Sequence, residues 1–172
     1  MTRELPDAVR EAFETHDGYD VTDDRAAVTT TPFDGTVTVE QTDADWNRRY
    51  VVDVTVPTLS AVVGEVVGPA VAEGWFETLE RRLEDAPMAT RANVELDTFE
   101  VRRIDETVEI TYAFTSGSES QAADVAKALV EYVEGTYVEG IVPGYDYQPP
   151  VAGLLDQAQS GGAQGERGGT PL

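Results

Sequence analysis

The sequence predicts an α+β fold, a mainly antiparallel five-stranded sheet with helices on one face, in the order α-β-β-β-α-β-β-α. Three observations carry this. Val108, Ile110, Tyr112 and Phe114 alternate with the period of two that a half-buried strand requires, and several other stretches do the same. Between the strand-like stretches lies Pro69 to Ala86, PAVAEGWFETLERRLEDA, in which Val71, Trp75, Leu79 and Leu83 recur every fourth residue. Ala72 and Phe76 widen that stripe enough to cover a sheet. Short turns between successive strands favour antiparallel pairing, with the helices gathered on one side.

Leu5 to His16 is predicted as a first helix, with Pro6 and Asp7 in its first turn and Leu5, Val9, Ala12 and Phe13 on one face. Gly18 is then placed to cap it in a left-handed conformation. Ala26 to Phe33 is the first strand, with Tyr19 and Val21 leading in, and Asp34-Gly35 is a hairpin turn signal. Thr36 to Gln41 and Arg48 to Val56 follow, separated by the turn Asp43-Ala44-Asp45. Leu59 to Val67, short and apolar, is either a half-turn or a buried linker. Gly68-Pro69 starts the central helix and Pro87 ends it. Gly74 inside that helix costs about 1 kcal/mol relative to Ala, which predicts a close neighbour there.

Val94 and Leu96 change phase before Phe99 and Val101, so one extra residue near Asp97-Thr98 marks a bulge or a strand start. Asp105-Glu106 turns the chain into Thr107 to Thr115. Ser118 caps the last helix, with Gln121 completing a capping box, and the helix runs through Gly135 toward Val142 before Pro143. Residues 1–150 are expected to form a single domain and 151–172 a flexible Gly-rich tail, most strongly in SGGAQGERGGTPL from Ser160.

Charge is the dominant compositional signal. Asp and Glu number 33 against 12 Lys and Arg, a net −21, and Lys127 is the only lysine. Such a surface repels phosphates and anionic membranes, so neither nucleic acid nor membrane is an expected partner. It suits molar salt, where the Debye length falls to about 3 Å. Many carboxylates, almost no lysine and an Ala/Val/Thr-rich remainder resemble the proteome of a salt-loving archaeon. No apolar run approaches the ~20 residues of a membrane span and no signal peptide is visible, so a cytoplasmic location is expected. The absence of cysteine excludes disulfides and thiolate chemistry.

The element order, with DVTVP running into a long helix and VEITYAF running into the last one, is similar to that of YbjN-type proteins and type III secretion chaperones. The likeness spans about Leu5 to Val142 and is one of pattern. In its acidic, lysine-poor form the chain also resembles a haloarchaeal family of unknown function. These resemblances imply a partner-binding or chaperone-like role, often as dimers, and no catalytic residues.

The residues themselves offer little chemistry. His16, the only histidine, ends a helix beside Asp17, where it interacts with the helix dipole. Asp43-x-Asp45-x-Asn47 opens like a calcium loop, but Arg48 and Val54 stand where Gly and Glu belong. A looser cation site there, or at Asp20, Asp23 and Asp24, competes with a solvated acidic turn. Ser116, Ser118 and Ser120 have no histidine nearby in sequence. Arg48-Arg49, Arg81-Arg82 and Arg102-Arg103 either clamp an anion or pair internally, as Glu77 would with Arg81. Tyr137, Ile141, Tyr145 and Tyr147 form an aromatic, proline-rich segment that either meets a partner or packs back on its own domain.

The expectation is therefore a non-enzymatic, protein-binding or chaperone-like module that binds a protein partner or a second copy of itself. It has no expected cofactor or metal, and Tyr137, Ile141, Tyr145 and Tyr147 are its candidate contact residues. The alternative is a small-ligand-binding protein or an enzyme using scattered Asp, Glu and Arg residues.

Overall fold

The computed structural model describes residues 4–90 and 94–158. In chain order the elements are α1 (Asp7–Thr15), β1 (Tyr19–Val21), β2 (Ala26–Val28), β3 (Asp34–Gln41), β4 (Arg48–Pro57), α2 (Leu59–Val62), α3 (Pro69–Leu83), β5 (Thr98–Ile104), β6 (Thr107–Ser116) and α4 (Glu119–Glu139). A last helix, α5, covers residues 151–158. The strands form one six-stranded sheet in the order β1-β2-β3-β4-β6-β5, antiparallel throughout. The fold is α+β as expected, with six strands in place of five. The added strand is Tyr19–Val21, which pairs with β2. The turn between them is closed by Thr22, whose N–H donates to the Arg25 carbonyl at 2.9 Å.

The hairpin after it also differs from expectation. Asp34-Gly35 lies inside β3, with Gly35 facing Val54, and residues 29–33 make the connection instead. Gly35 serves packing: a Cβ there would come within 2.8 Å of Val130 Cγ1 on α4. Gly18 likewise does not supply a left-handed cap, since His16 is the C-cap of α1 and Lys127 lies over the glycine, 2.7 Å from where a Cβ would sit.

Burial follows the alternation. Tyr50, Val52, Val54 and Val56 on β4 and Val108, Ile110, Tyr112 and Phe114 on β6 are all buried under the helices. Each such side chain contributes roughly 1.5–3 kcal/mol relative to exposure. The helix lying across these strands is α4, whose Ala122, Val125, Ala126, Leu129 and Val133 are buried. Small residues at its N-terminal half let it approach the sheet. The stretch expected as one helix from Pro69 to Ala86 starts after Gly68 as expected but ends at Leu83, with Pro87 inside a separate 3-10 turn (Ala86–Ala89), and only Trp75, Leu79 and Leu83 of the helix are buried. Val71 is 40% exposed, so α3 seals the flank of α4 and leaves α4 to span the sheet. Gly74 has no neighbour within 4 Å of a Cβ position, contrary to expectation.

Leu59 to Val67 resolves as the single turn α2, capped by Thr58, whose hydroxyl accepts from Ala61 N–H at 3.3 Å. The phase change near Asp97 is a two-against-one arrangement. Asp97 N–H donates to the Ala113 carbonyl while Thr98 faces that same residue in the register. At the chain's end, Val151 and Leu154 are buried, so the expected tail cannot begin at residue 151. Residues 159–172 lie outside the described residues. Among the described residues, no helix is long and apolar enough to cross a membrane.

Candidate partner-binding edge

The tyrosine segment packs back on its own chain. Tyr137 is buried, its ring set against Phe33 and Trp75, and its hydroxyl donates to the Pro57 carbonyl at 2.9 Å. Burial pushes its ionisation well above the usual tyrosine range. Ile141, Tyr145 and Tyr147 are half-buried against the core. Tyr147 donates to the Val142 carbonyl at 2.6 Å and pairs with Val63 across an isolated bridge. Gln148 N–H donates to the Val62 carbonyl at 2.8 Å, and Asp146 N–H to the Glu65 carboxylate at 2.9 Å. These bonds fasten the segment to the α2–α3 connection. Tyr137 therefore presents no surface to a partner, and the other three do so only in part.

Most candidate chemistry is also absorbed by the fold. His16 Nε2 bonds Asp124 Oδ1 on α4 at 2.7 Å, while its Nδ1 accepts from Gly18 N–H at 3.3 Å. The second bond makes Nε2 the donor in the neutral ring. The ring is thus a clip between α1 and α4, a role that adjacency to Asp17 did not reveal. Ser118 accepts from Gln121 N–H at 3.2 Å as the cap of α4, and Ser116 supplies the other arm by accepting from Ser118 N–H at 3.1 Å. In the loop before β4, the Asn47 side-chain oxygen is taken by the Thr42 hydroxyl. Asp23 lies 3.8 Å from Arg10, and Asp24 accepts from Thr22 at 2.9 Å.

The arginine pairs are largely internal. Arg48 meets Glu119 at 3.1 Å, Arg82 meets Glu139 at 4.0 Å, and Arg103 meets Glu73 at 2.8 Å while lying over the Phe76 ring. Arg49 joins Glu40 at 2.7 Å to Asp97 at 2.8 Å on the uncovered sheet face. Its hydrogen bonds hold the Asp97 carboxyl below the usual carboxylate range. Arg81 and Arg102 make no ion pair among the described residues, and the expected Glu77–Arg81 pair is not formed.

What remains open is an edge. β1 closes one side of the sheet with three residues under α1, too short to offer much pairing. β5 closes the other with seven residues, bonded to β6 on one side and, among the described residues, to no strand on the other. Phe99 and Val101 face the helix side, half-buried, with Phe99 stacked on Tyr112 at 5.4 Å. Glu100, Arg102 and Ile104 lie on the uncovered face, all exposed. Just upstream, Val94 to Asp97 border a cleft of about 610 Å³ with Phe114 to Gly117, Gln121 and Val125. Trp46, 74% exposed, stands beside Gly117 at its rim.

A family described as "Family of unknown function (DUF5813)" matches residues 10–157. The chain belongs to it. No curated protein and no solved structure matches the chain. The DUF5813 match runs from α1 through α5 and so takes in every strand, the β5 edge and the cleft beside it.

Proposed function

We propose that this DUF5813 chain is a non-catalytic, chaperone-like binding module that takes an extended protein segment along β5. One observation carries the reading: β5 is a seven-residue edge strand with half-buried apolar side chains on one face and, among the described residues, no strand on its outer side. Unpaired backbone groups on such an edge accept a strand, and alternate side chains select it. The charge of −21 supports a protein partner over nucleic acid or an anionic membrane, and supports work in a high-salt cytoplasm. The element order resembles that of YbjN-type proteins and secretion chaperones, which fits the same role.

The test is site-specific photo-crosslinking in the native cells, with the reactive residue placed at Glu100, Arg102 or, as a control on α1, Glu11. Adducts to a protein chain from the β5 positions and not from Glu11 are expected. No adduct from β5, or the same adducts from Glu11, would overturn the reading. The cleft beside Trp46 favours a small-ligand function as a second reading. Perturbation of the Trp46 indole and Gly117 amide NMR signals by small polar ligands, with no β5 adduct, would select it.

A further inference from the structure

We propose that the strand accepted along β5 is β5 of a second copy, laid antiparallel about a two-fold axis through Val101. The inference rests on the reading of β5 as a strand-accepting edge and names its occupant. The sequence of the edge, Thr98-Phe99-Glu100-Val101-Arg102-Arg103-Ile104, is self-complementary when reversed. With Val101 facing its own equivalent, Glu100 faces the second copy's Arg102, and Arg102 faces the second copy's Glu100. Both pairs fall on the uncovered face, because residues two apart in a strand share a face. On the helix side, Phe99 faces the second copy's Arg103 across the same axis.

The register is specific. Centring the pair on Glu100 sets Glu100 against its own equivalent, and centring it on Arg102 does the same to Arg102, each destabilising, whereas the Val101 register makes two opposite-charge pairs. An edge guarded against pairing presents charges that repel in any register. Here one register is left attractive. Neither Glu100 nor Arg102 makes an ion pair among the described residues, although Arg102 faces Glu109 across the β5–β6 ladder, while Arg48, Arg49, Arg82 and Arg103 are all paired. A two-fold contact is isologous, so each copy uses the same patch. The product is a continuous twelve-stranded sheet with both sets of helices on one side, twice the six strands of one copy.

Two bodies of charge −21 repel at long range. At about 1 M salt the Debye length of about 3 Å removes that long-range repulsion and only weakens pairs in direct contact. Sedimentation of the full chain in molar salt is therefore expected to give a dimer that tightens as salt is raised. Glu100→Arg alone and Arg102→Glu alone each set like charges face to face and are expected to weaken dimerisation tenfold or more. An equimolar mixture of these two variants restores both opposite-charge pairs and is expected to dimerise like the wild type, which also shows that each variant is folded. The double variant, Glu100→Arg with Arg102→Glu, is expected to recover as well. A wild type monomeric at every salt and concentration, or single reversals without effect, or a mixture that stays monomeric, would overturn the assignment. A β5 photo-adduct to a different protein would overturn the second copy while leaving the edge reading intact. No adduct of any kind would overturn both.

Discussion

Gly35 on β3 lies directly beneath Val130 on α4, so closely that a single added methyl would stand 2.8 Å from Val130 Cγ1. This contact sets how near the spanning helix comes to the sheet. Gly35→Ala is expected to destabilise the fold by about 1–3 kcal/mol, the usual range for overpacking a tight core. Val130→Ala in the same chain should recover part of the loss, because the two sites share the contact and their effects are not additive. Chemical denaturation of the single and double variants checks this, and strictly additive losses would contradict it.

Gly74 is the opposite case. It sits in the exposed face of α3 with nothing within 4 Å of a Cβ position. Gly74→Ala should then stabilise the chain by about 0.5–1 kcal/mol, through helix propensity and a less flexible unfolded state. A loss of stability in the same denaturation assay would mean that α3 meets something at that face.

These two glycines show where sequence reasoning reached and where it stopped. Strand identity was legible in the alternation from Arg48 to Val56 and Thr107 to Thr115, because one buried face imposes a period of two. Caps were legible at Ser118 and Pro69, because they depend on neighbours in the chain. Gly35 reads as a turn residue and Gly74 as a packing residue, because what decides each is whether another element comes against it: α4 does at Gly35 and nothing does at Gly74. The same holds for His16, whose partner Asp124 is 108 residues away. Tyr137 looked like interface because tyrosine favours both cores and surfaces, and only the Pro57 carbonyl decides between them. An open antiparallel sheet must have edges, but local sequence does not say which strands form them. That β5 occupies one follows from the strand order.

Two buried tyrosines should respond oppositely to loss of the hydroxyl. Tyr137 donates to Pro57, so Tyr137→Phe should cost about 1 kcal/mol for the lost bond and the orphaned carbonyl. The buried Tyr50 hydroxyl makes no hydrogen bond of good geometry among the described residues, although the Arg48 guanidinium lies near it, and burial pushes its pKa up to about 12. Tyr50→Phe removes an unpaired polar atom and should be neutral or stabilising by up to about 1 kcal/mol. Thermal melts of both variants distinguish these outcomes, and a comparable loss for each would show that Tyr50 is also bonded.

The link from Arg49 to Asp97 should appear in the pH dependence. Asp97 has its pKa lowered, chiefly by its hydrogen bonds from Arg49, with burial opposing and Thr98 assisting. A carboxylate with a lowered folded pKa contributes stability above its unfolded value, about 3.9, and loses it as pH falls through the folded value. Arg49 and Asp97 are 29% and 44% exposed, so solvent screening keeps the contribution to no more than about 1 kcal/mol. Asp97→Asn should therefore be less stable than wild type at neutral pH and indistinguishable from it once the Asp97 carboxyl of the wild type is protonated in both the folded and the unfolded state. A gap between the two that is unchanged from pH 7 to below pH 3 would contradict the linkage.

Salt tests the charge as a whole. The 33 acidic residues outnumber the basic ones by 21, and among the described residues the ion pairs formed at Arg10, Arg48, Arg49, Arg82, Arg103 and Lys127 leave most carboxylates without a cation. Their mutual repulsion opposes the compact state more than the expanded one, since folding brings them together. Raising salt from about 0.01 M to 1 M shortens the Debye length from about 30 Å to about 3 Å, which removes that opposition between all but neighbouring groups. The same change weakens the few exposed ion pairs, but each is worth little. Repulsion should win, and the melting temperature should rise steadily with potassium chloride. Following the helical circular dichroism signal across that series checks the sign. Melting temperatures that stay constant or fall would show that the acidic surface is already balanced at low salt, and would remove the physical basis for placing the chain in a saline cytoplasm.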